Sequence, residues 1–214
     1  VVHGRRLNKI VIYDSEYVKE SKVIQSLCDN SFVESMGVNV AIYSNNPAQV
    51  ECSNMKWFPM AADETMLFED IMENSLDQVV LFLSSACRPT RKDWPSAVND
   101  LIIEPNAKFW VKASLSPRHE RSQTSDDASY HHLTTAGIYH FTADFVAFYK
   151  QDLKPFMDMQ QPNADPFSHQ FHRYLYDWRN MERARYILPK FVVDDFIKDR
   201  SLHRSPDQIF QCPE

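Results

Sequence analysis

Three groups of residues in this chain have types and spacing suited to chemistry. The first comprises Tyr13-Asp14-Ser15, Tyr43-Ser44-Asn45 and Ser84-Ser85-Ala86, with Arg88 just beyond. Each triplet closes an apolar run. An aromatic ring beside carboxylate and hydroxyl groups could stack on a nucleobase and hydrogen-bond its edge or a ribose. Asp14 and Ser15 could equally do no more than cap the helix that follows. The second group is Asn163-Ala164-Asp165-Pro166. Here Asp165 is either an N-cap with Pro166 at the first helical position, or a carboxylate aimed into a cleft as a general base or a stabiliser of positive charge at a sugar carbon. The third is Asp194-Asp195 with His203-Arg204-Ser205-Pro206-Asp207. Its carboxylates and imidazole could hold a divalent ion with Arg204 beside a phosphate, or could simply form a solvated tail.

Other reactive residue types point less clearly to a site. His169 and His172 are three apart and could share a helix face, but no third ligand of suitable spacing accompanies them. His131 and His132 on a strand would point to opposite faces. The four cysteines, Cys28, Cys52, Cys87 and Cys212, include no CxxC pair and read as reduced thiols of an intracellular, soluble protein. Only three glycines are present, Gly4, Gly37 and Gly137, so neither a GxGxxG turn nor a P-loop can be written. A bound nucleotide would have to be held by side chains, ordinary loop amides or a metal.

The elements that must position these groups alternate between strand and helix. Val79–Leu83 is a continuous apolar run that ends at Ser84 and reads as a strand buried on both faces. Lys9–Tyr13 and Val38–Tyr43 are further strands, and Lys56–Met60 is a strand confined by Pro59 to an edge or an end. A helix capped by Ser15 runs to about Met36, where Gly37 suits the C-cap, and Asp63 caps another through Asn74. This β-α-β-β-α-β order predicts an α/β fold with a mixed, mostly parallel central sheet flanked by helices. In such sheets ligands bind beyond the carboxyl ends of the strands, which is where the three triplets of the first group fall. Farther on, the pattern predicts a helix over Trp94–Ile103, a strand at Lys108–Ala113 and a polar loop over Ser114–Tyr130 of the kind that serves as a lid or substrate loop. A returning strand follows at His131–Phe141, with Gly137 at a bulge or close approach. Helix is expected at Ala143–Lys150 and Leu153–Met159, broken by Pro155, and over the aromatic-rich Asp165–Arg185. A last strand at Arg185–Val193 precedes an acidic-then-basic tail.

Bulk properties bound the function. The 214 residues are enough for a single domain over 1–214 with a sizeable core, and the start at Val1 suits a piece of a longer polypeptide with further domains. A formal charge of -6 argues against nucleic acid or an anionic membrane as partner, and mean hydropathy of -0.45 fits a globular protein without a membrane span.

In layout, the chain resembles a nucleotide-sugar glycosyltransferase of the GT-A type. KIVIYDSEYV is similar to the first strand of that fold, which supports the uracil. VVLFLSSACRP is similar to the strand that delivers the Asp-x-Asp motif, TAGIYHFTADFVAFY to a strand and helix flanking the donor sugar, NADPF to the segment with the catalytic-region carboxylate, and SLHRSPDQ to the one supplying a C-terminal His. The resemblance implies transfer of a hexosyl or deoxyhexosyl group from a UDP-sugar donor to a glycan or glycoprotein acceptor. The layout is also similar to that of a domain acting on a viral capsid glycoprotein, which would place the chain in a host cytoplasm. It implies Tyr13, Asp14, Ser15, Ser44, Ser84, Ser85, Ala86 and Arg88 in donor binding, Asp165 in catalysis, and Asp195 and His203 on Mn²⁺ or Mg²⁺.

One departure is plain: Ser84 and Ala86 stand where the two aspartates belong. The metal would then be held by Asp194, Asp195 or His203, or through the nucleotide diphosphate, or be dispensed with in favour of Arg88, Lys92, Arg118 or Arg121. The same departure suits a non-catalytic, degenerate domain that binds a glycan or a protein. A phosphate-ester hydrolase with Asp14 as nucleophile is a third reading, weakened by Glu16 where a second Asp would be expected.

Overall fold

The computed structural model describes residues 5–13, 21–28, 30–45, 52, 54–60, 64–103, 108–116, 132–159, 167–194, 196–198 and 208–212. Its frame is a seven-stranded sheet built from β1 (Lys9–Tyr13), β2 (Asn39–Tyr43), β3 (Met55–Phe58), β4 (Val79–Ser84), β6 (Val111–Ser116), β7 (His132–His140) and β8 (Phe191–Val193), in the order β3-β2-β1-β4-β7-β6-β8. All adjacent pairs are parallel except those made by β7, which runs against both β4 and β6. This is the mixed, mostly parallel sheet that the sequence predicts. The short β3 with its following Pro59 takes the edge.

Alternation within each strand divides the core into two layers. Ile10, Ile12, Val40, Ile42, Leu81 and Leu83 face α1 (Lys22–Cys28), α2 (Ser31–Ser35) and α4 (Trp94–Ile103). Val11, Ala41, Val80, Phe82, Val111 and Tyr139 face the opposite layer, formed by α3 (Glu64–Glu73), α5 (Ala143–Phe148), α6 (Lys154–Met159), α7 (Phe167–Tyr176) and α8 (Met181–Ile187). The second layer is aromatic. Phe68 of α3, fully buried, meets the rings of Phe82, Tyr139, Phe141, Tyr149 and Phe171 at centroid distances of 5.2–6.4 Å. Four of these contacts are edge-to-face, the geometry aromatic quadrupoles favour.

Several element boundaries differ from the pattern reading. The expected helix to Met36 is divided: Asn30 accepts from the Phe32 amide and starts α2 afresh, and Gly37, at φ +63°, closes α2 as expected. Pro155 does not break its helix. A π turn over Tyr149–Leu153, in which the Lys154 amide donates to the Tyr149 carbonyl, carries α5 into α6 before the proline is reached. The Asp165–Arg185 helix is interrupted at Asp177, whose carboxylate accepts from the Arg179 amide and side chain, and a 3-10 turn over Trp178–Asn180 leads into α8. The final strand shrinks to Phe191–Val193 because α8 and a second 3-10 turn, containing Pro189, occupy its first half. The Ser114–Tyr130 loop lies largely outside the described residues.

Two features are absent from the sequence reading. A second, three-stranded sheet joins β5 (Arg88–Pro89), β10 (Phe210–Gln211) and β9 (Ile197–Lys198). The cysteines are also paired, Cys28 with Cys52 and Cys87 with Cys212, at Cα separations of 5.5 and 4.1 Å. This corrects the expectation of reduced thiols. Spacing along the chain carried no sign of it, because the partners lie 24 and 125 residues apart and only the fold brings them together.

Candidate active site at the carboxyl edge of the sheet

Register aligns four strand ends at one level: Phe58 opposite Tyr43, Tyr43 opposite Tyr13, and Tyr13 opposite Ser84. Residues paired in parallel strands turn their side chains to the same face, here the α3 side. The Tyr13 ring stacks on Phe82 at 4.7 Å and the Tyr43 ring on Phe58 at 5.1 Å. Tyr43 is buried, whereas Phe58 is 38% exposed, so the row ends in an accessible ring at the sheet's edge. Aromatic faces at strand ends can take a flat heterocycle.

The Tyr13 hydroxyl is committed to Glu64, the first residue of α3. Burial, chiefly, and the Glu64 charge hold the Tyr13 phenol neutral well above its ordinary range, and the same two causes act on Tyr139. A carboxylate in the first turn of a helix is also favoured by the backbone dipole. Glu64 is held in place by the anchoring of α3 farther down. Glu69 accepts from Tyr149 at 3.1 Å and from Lys154 at 2.6 Å, and Glu73 pairs with Lys150 at 2.7 Å. The Phe171–Phe68 contact brings α7 against α3 one turn from Glu64.

The turn after β4 carries the remaining candidates. Ser84 Oγ accepts from the Ala86 amide at 3.3 Å, and the Ser84 carbonyl from the Cys87 amide at 3.0 Å. Ser85 is buried with both backbone groups engaged: its amide donates to the Tyr13 carbonyl at 2.8 Å, and its carbonyl accepts from Ser21 Oγ at 2.7 Å. Ala86 and Arg88 are exposed. Ser44, 6% exposed, donates its amide to the Phe58 carbonyl.

Of the residues singled out in the sequence, Tyr13, Ser44, Ser84 and Ser85 are thus gathered at one edge, and Ala86 and Arg88 continue along its rim. Asp14, Ser15, Asp165, Asp195 and His203 lie outside the described residues, with Asp165 two positions before α7 begins. Among the described residues no cluster of three or more His, Cys, Asp or Glu is placed to hold a metal ion. The turn itself offers hydroxyl and amide groups without a carboxylate, a donor set that does not fit a divalent cation. Sequence reasoning missed Glu64, Phe58 and Phe82. The acidic first turn of α3 was visible, but not that it would meet Tyr13.

No family model matches the chain, and no curated protein sequence does. Solved structures do. The chain is similar to the glycosyltransferase GlyE of Streptococcus pneumoniae TIGR4, at a TM-score of 0.51 and 12% identity over 90% of this chain and 47% of that one. It thus spans about half the length of GlyE. It is also similar to a glycosyltransferase involved in glycosylation of the major capsid of PBCV-1, at a TM-score of 0.48 and 12% identity over 90% of this chain and 84% of the other. A third likeness is to a Bacillus anthracis structure described as a putative glucose-1-phosphate thymidylyltransferase, at a TM-score of 0.46 and 8% identity over 88% and 86% of the two chains. At these identities the likeness bears on architecture, and the first comparison carries it: the chain has a glycosyltransferase fold, the GT-A-like α/β architecture read from its sequence.

Proposed function

We propose that the chain transfers a sugar from a UDP-sugar to a glycan or glycoprotein acceptor. The observation that carries this reading is the aligned row Phe58–Tyr43–Tyr13–Ser84 at the carboxyl edge of a glycosyltransferase fold. The uracil would lie against the ring row, with Asp14 and Ser15 binding the nucleoside. Ser84, Ser85 and Ala86 would line the ribose and diphosphate, with Arg88 offsetting phosphate charge. Asp165 would stand beside the anomeric carbon. A divalent ion would have to enter with the diphosphate and take its protein ligands from Asp195 and His203. A viral capsid glycoprotein as acceptor rests on the sequence resemblance alone. No helix among the described residues is long and apolar enough to cross a membrane. The paired cysteines favour an oxidising compartment over the intracellular setting that unpaired thiols implied.

A second reading has a specific support: hydroxyl and methyl groups stand where metal-binding carboxylates belong, as in a binding module that has lost catalysis. Two measurements separate the readings. UDP at a hundred times its dissociation constant should stabilise the fold by about 2.7 kcal/mol, a rise in melting temperature of about 5–10 °C for a chain of this size. Absence of any shift, with or without Mn²⁺, removes the donor site. Asp165→Asn should abolish transfer and leave the UDP shift intact. If wild type binds UDP but neither transfers nor hydrolyses any UDP-sugar, the binding-module reading replaces the enzyme.

A further inference from the structure

The Ser84–Thr90 turn is clamped by the C-terminal segment of the chain. Cys87 is fully buried and bonded to Cys212. Arg88 and Pro89 pair antiparallel with Gln211 and Phe210. The Thr90 amide donates to the Ile209 carbonyl at 2.9 Å, and Thr90 Oγ1 to the Gln208 carbonyl at 2.8 Å. The Phe210 ring packs edge-on against Trp94 at 5.0 Å. From the other side the turn is held by the Tyr13 carbonyl and Ser21. The Cys28–Cys52 bond, by contrast, joins the end of α1 to the segment before β3, and neither cysteine belongs to the turn or to the segment that clamps it.

We propose that the Cys87–Cys212 disulfide is the positioning element of this turn, fixing Ser84–Arg88 for the donor diphosphate in a chain that has no carboxylate pair there for a metal to organise. The donor role rests on the function proposed above, but the clamp does not. Without the disulfide, the segment is held to the turn by a two-residue strand pair, two hydrogen bonds from Thr90 and the Phe210–Trp94 contact, and a strand pair this short opens readily by itself. The covalent bond makes them persistent by removing the open states in which the C-terminal segment departs. Neither cysteine would touch substrate.

The experiment compares Cys87→Ala/Cys212→Ala with Cys28→Ala/Cys52→Ala by amide hydrogen exchange and by UDP binding. The first variant should speed exchange at residues 85–90 and 208–212 at least tenfold and weaken UDP binding at least tenfold. The second should leave that exchange unchanged and shift UDP affinity less than twofold. A merely structural bond would lower the melting temperature of both variants and move UDP affinity in neither. Should the first pair fail to fold, Cys87→Ala/Cys212→Val fills more of the space left by the sulfurs and is measured in its place. Unchanged exchange at 85–90 in a folded variant overturns the proposal. If wild type binds no UDP, the donor reading falls, and the exchange comparison still decides whether the disulfide positions the turn.

Discussion

The two disulfides should differ in worth by a predictable amount. In the chain-entropy account a crosslink stabilises by shrinking the unfolded ensemble, more so the longer the loop it closes. The loops here span 24 residues for Cys28–Cys52 and 125 for Cys87–Cys212. These lengths correspond to about 3.5 and about 4.9 kcal/mol at 25 °C. The difference, about 1.5 kcal/mol, depends only on the ratio of the loop lengths. Packing acts in the same direction, since Cys87 is fully buried in the core cluster that also holds Trp94 and Phe210, whereas Cys52 is only partly buried. Thermal melts of Cys28→Ala/Cys52→Ala and Cys87→Ala/Cys212→Ala should therefore both fall below wild type, the second lower than the first by about 3–6 °C. Equal melting temperatures, or the reverse order, would refute the entropic reasoning. Four thiols open to alkylation in the folded wild-type protein would remove its premise.

Two further outcomes follow from the core. The Tyr13 and Tyr139 phenols are held neutral above the ordinary tyrosine value of 10.0 by burial first and Glu64 second. Unfolding releases them to ionise, so stability is intact below that pH and falls as pH climbs from there through the folded-state values. Urea titrations at increasing alkaline pH should show that fall, and a Tyr13→Phe/Tyr139→Phe variant should show a shallower one; identical slopes would place the sensitivity elsewhere. Gly137→Ala would set a Cβ 3.0 Å from the Lys112 carbonyl and 3.2 Å from the Ala113 Cβ, across the β6–β7 pairing. A loss of about 1–3 kcal/mol by chemical denaturation is expected, and a neutral result would mean that the two strands part without cost.

What the sequence disclosed depended on the range of the interaction. Val79–Leu83 was legible as a doubly buried strand because its neighbours on both faces demand apolar residues without interruption. Ile10, Val11 and Ile12 were legible for the same reason. Gly37 and Pro59 were legible because their backbone restrictions act locally. The division at Asn30 and the break at Asp177 were missed because a side-chain cap competes with a helix that composition alone favours. The pairing of Arg88–Pro89 with Phe210–Gln211 was invisible, since two residues carry no period. The site followed the same division. That Tyr13 and Ser84 end their strands could be read, but that they stand side by side, and that Glu64 reaches Tyr13, is a matter of register and helix placement.

The reversed strand β7 has a consequence during synthesis. When β1 to β4 have left the ribosome, the Val79–Ser84 edge, VVLFLS, has a partner on one side only, and its other side waits for His132–His140. At about 5–20 residues per second that wait lasts seconds. Throughout it an uncharged, β-prone edge is open to pairing with another nascent chain. Yield should therefore fall with crowding of polysomes and recover with slower initiation, independently of how stable the finished domain is.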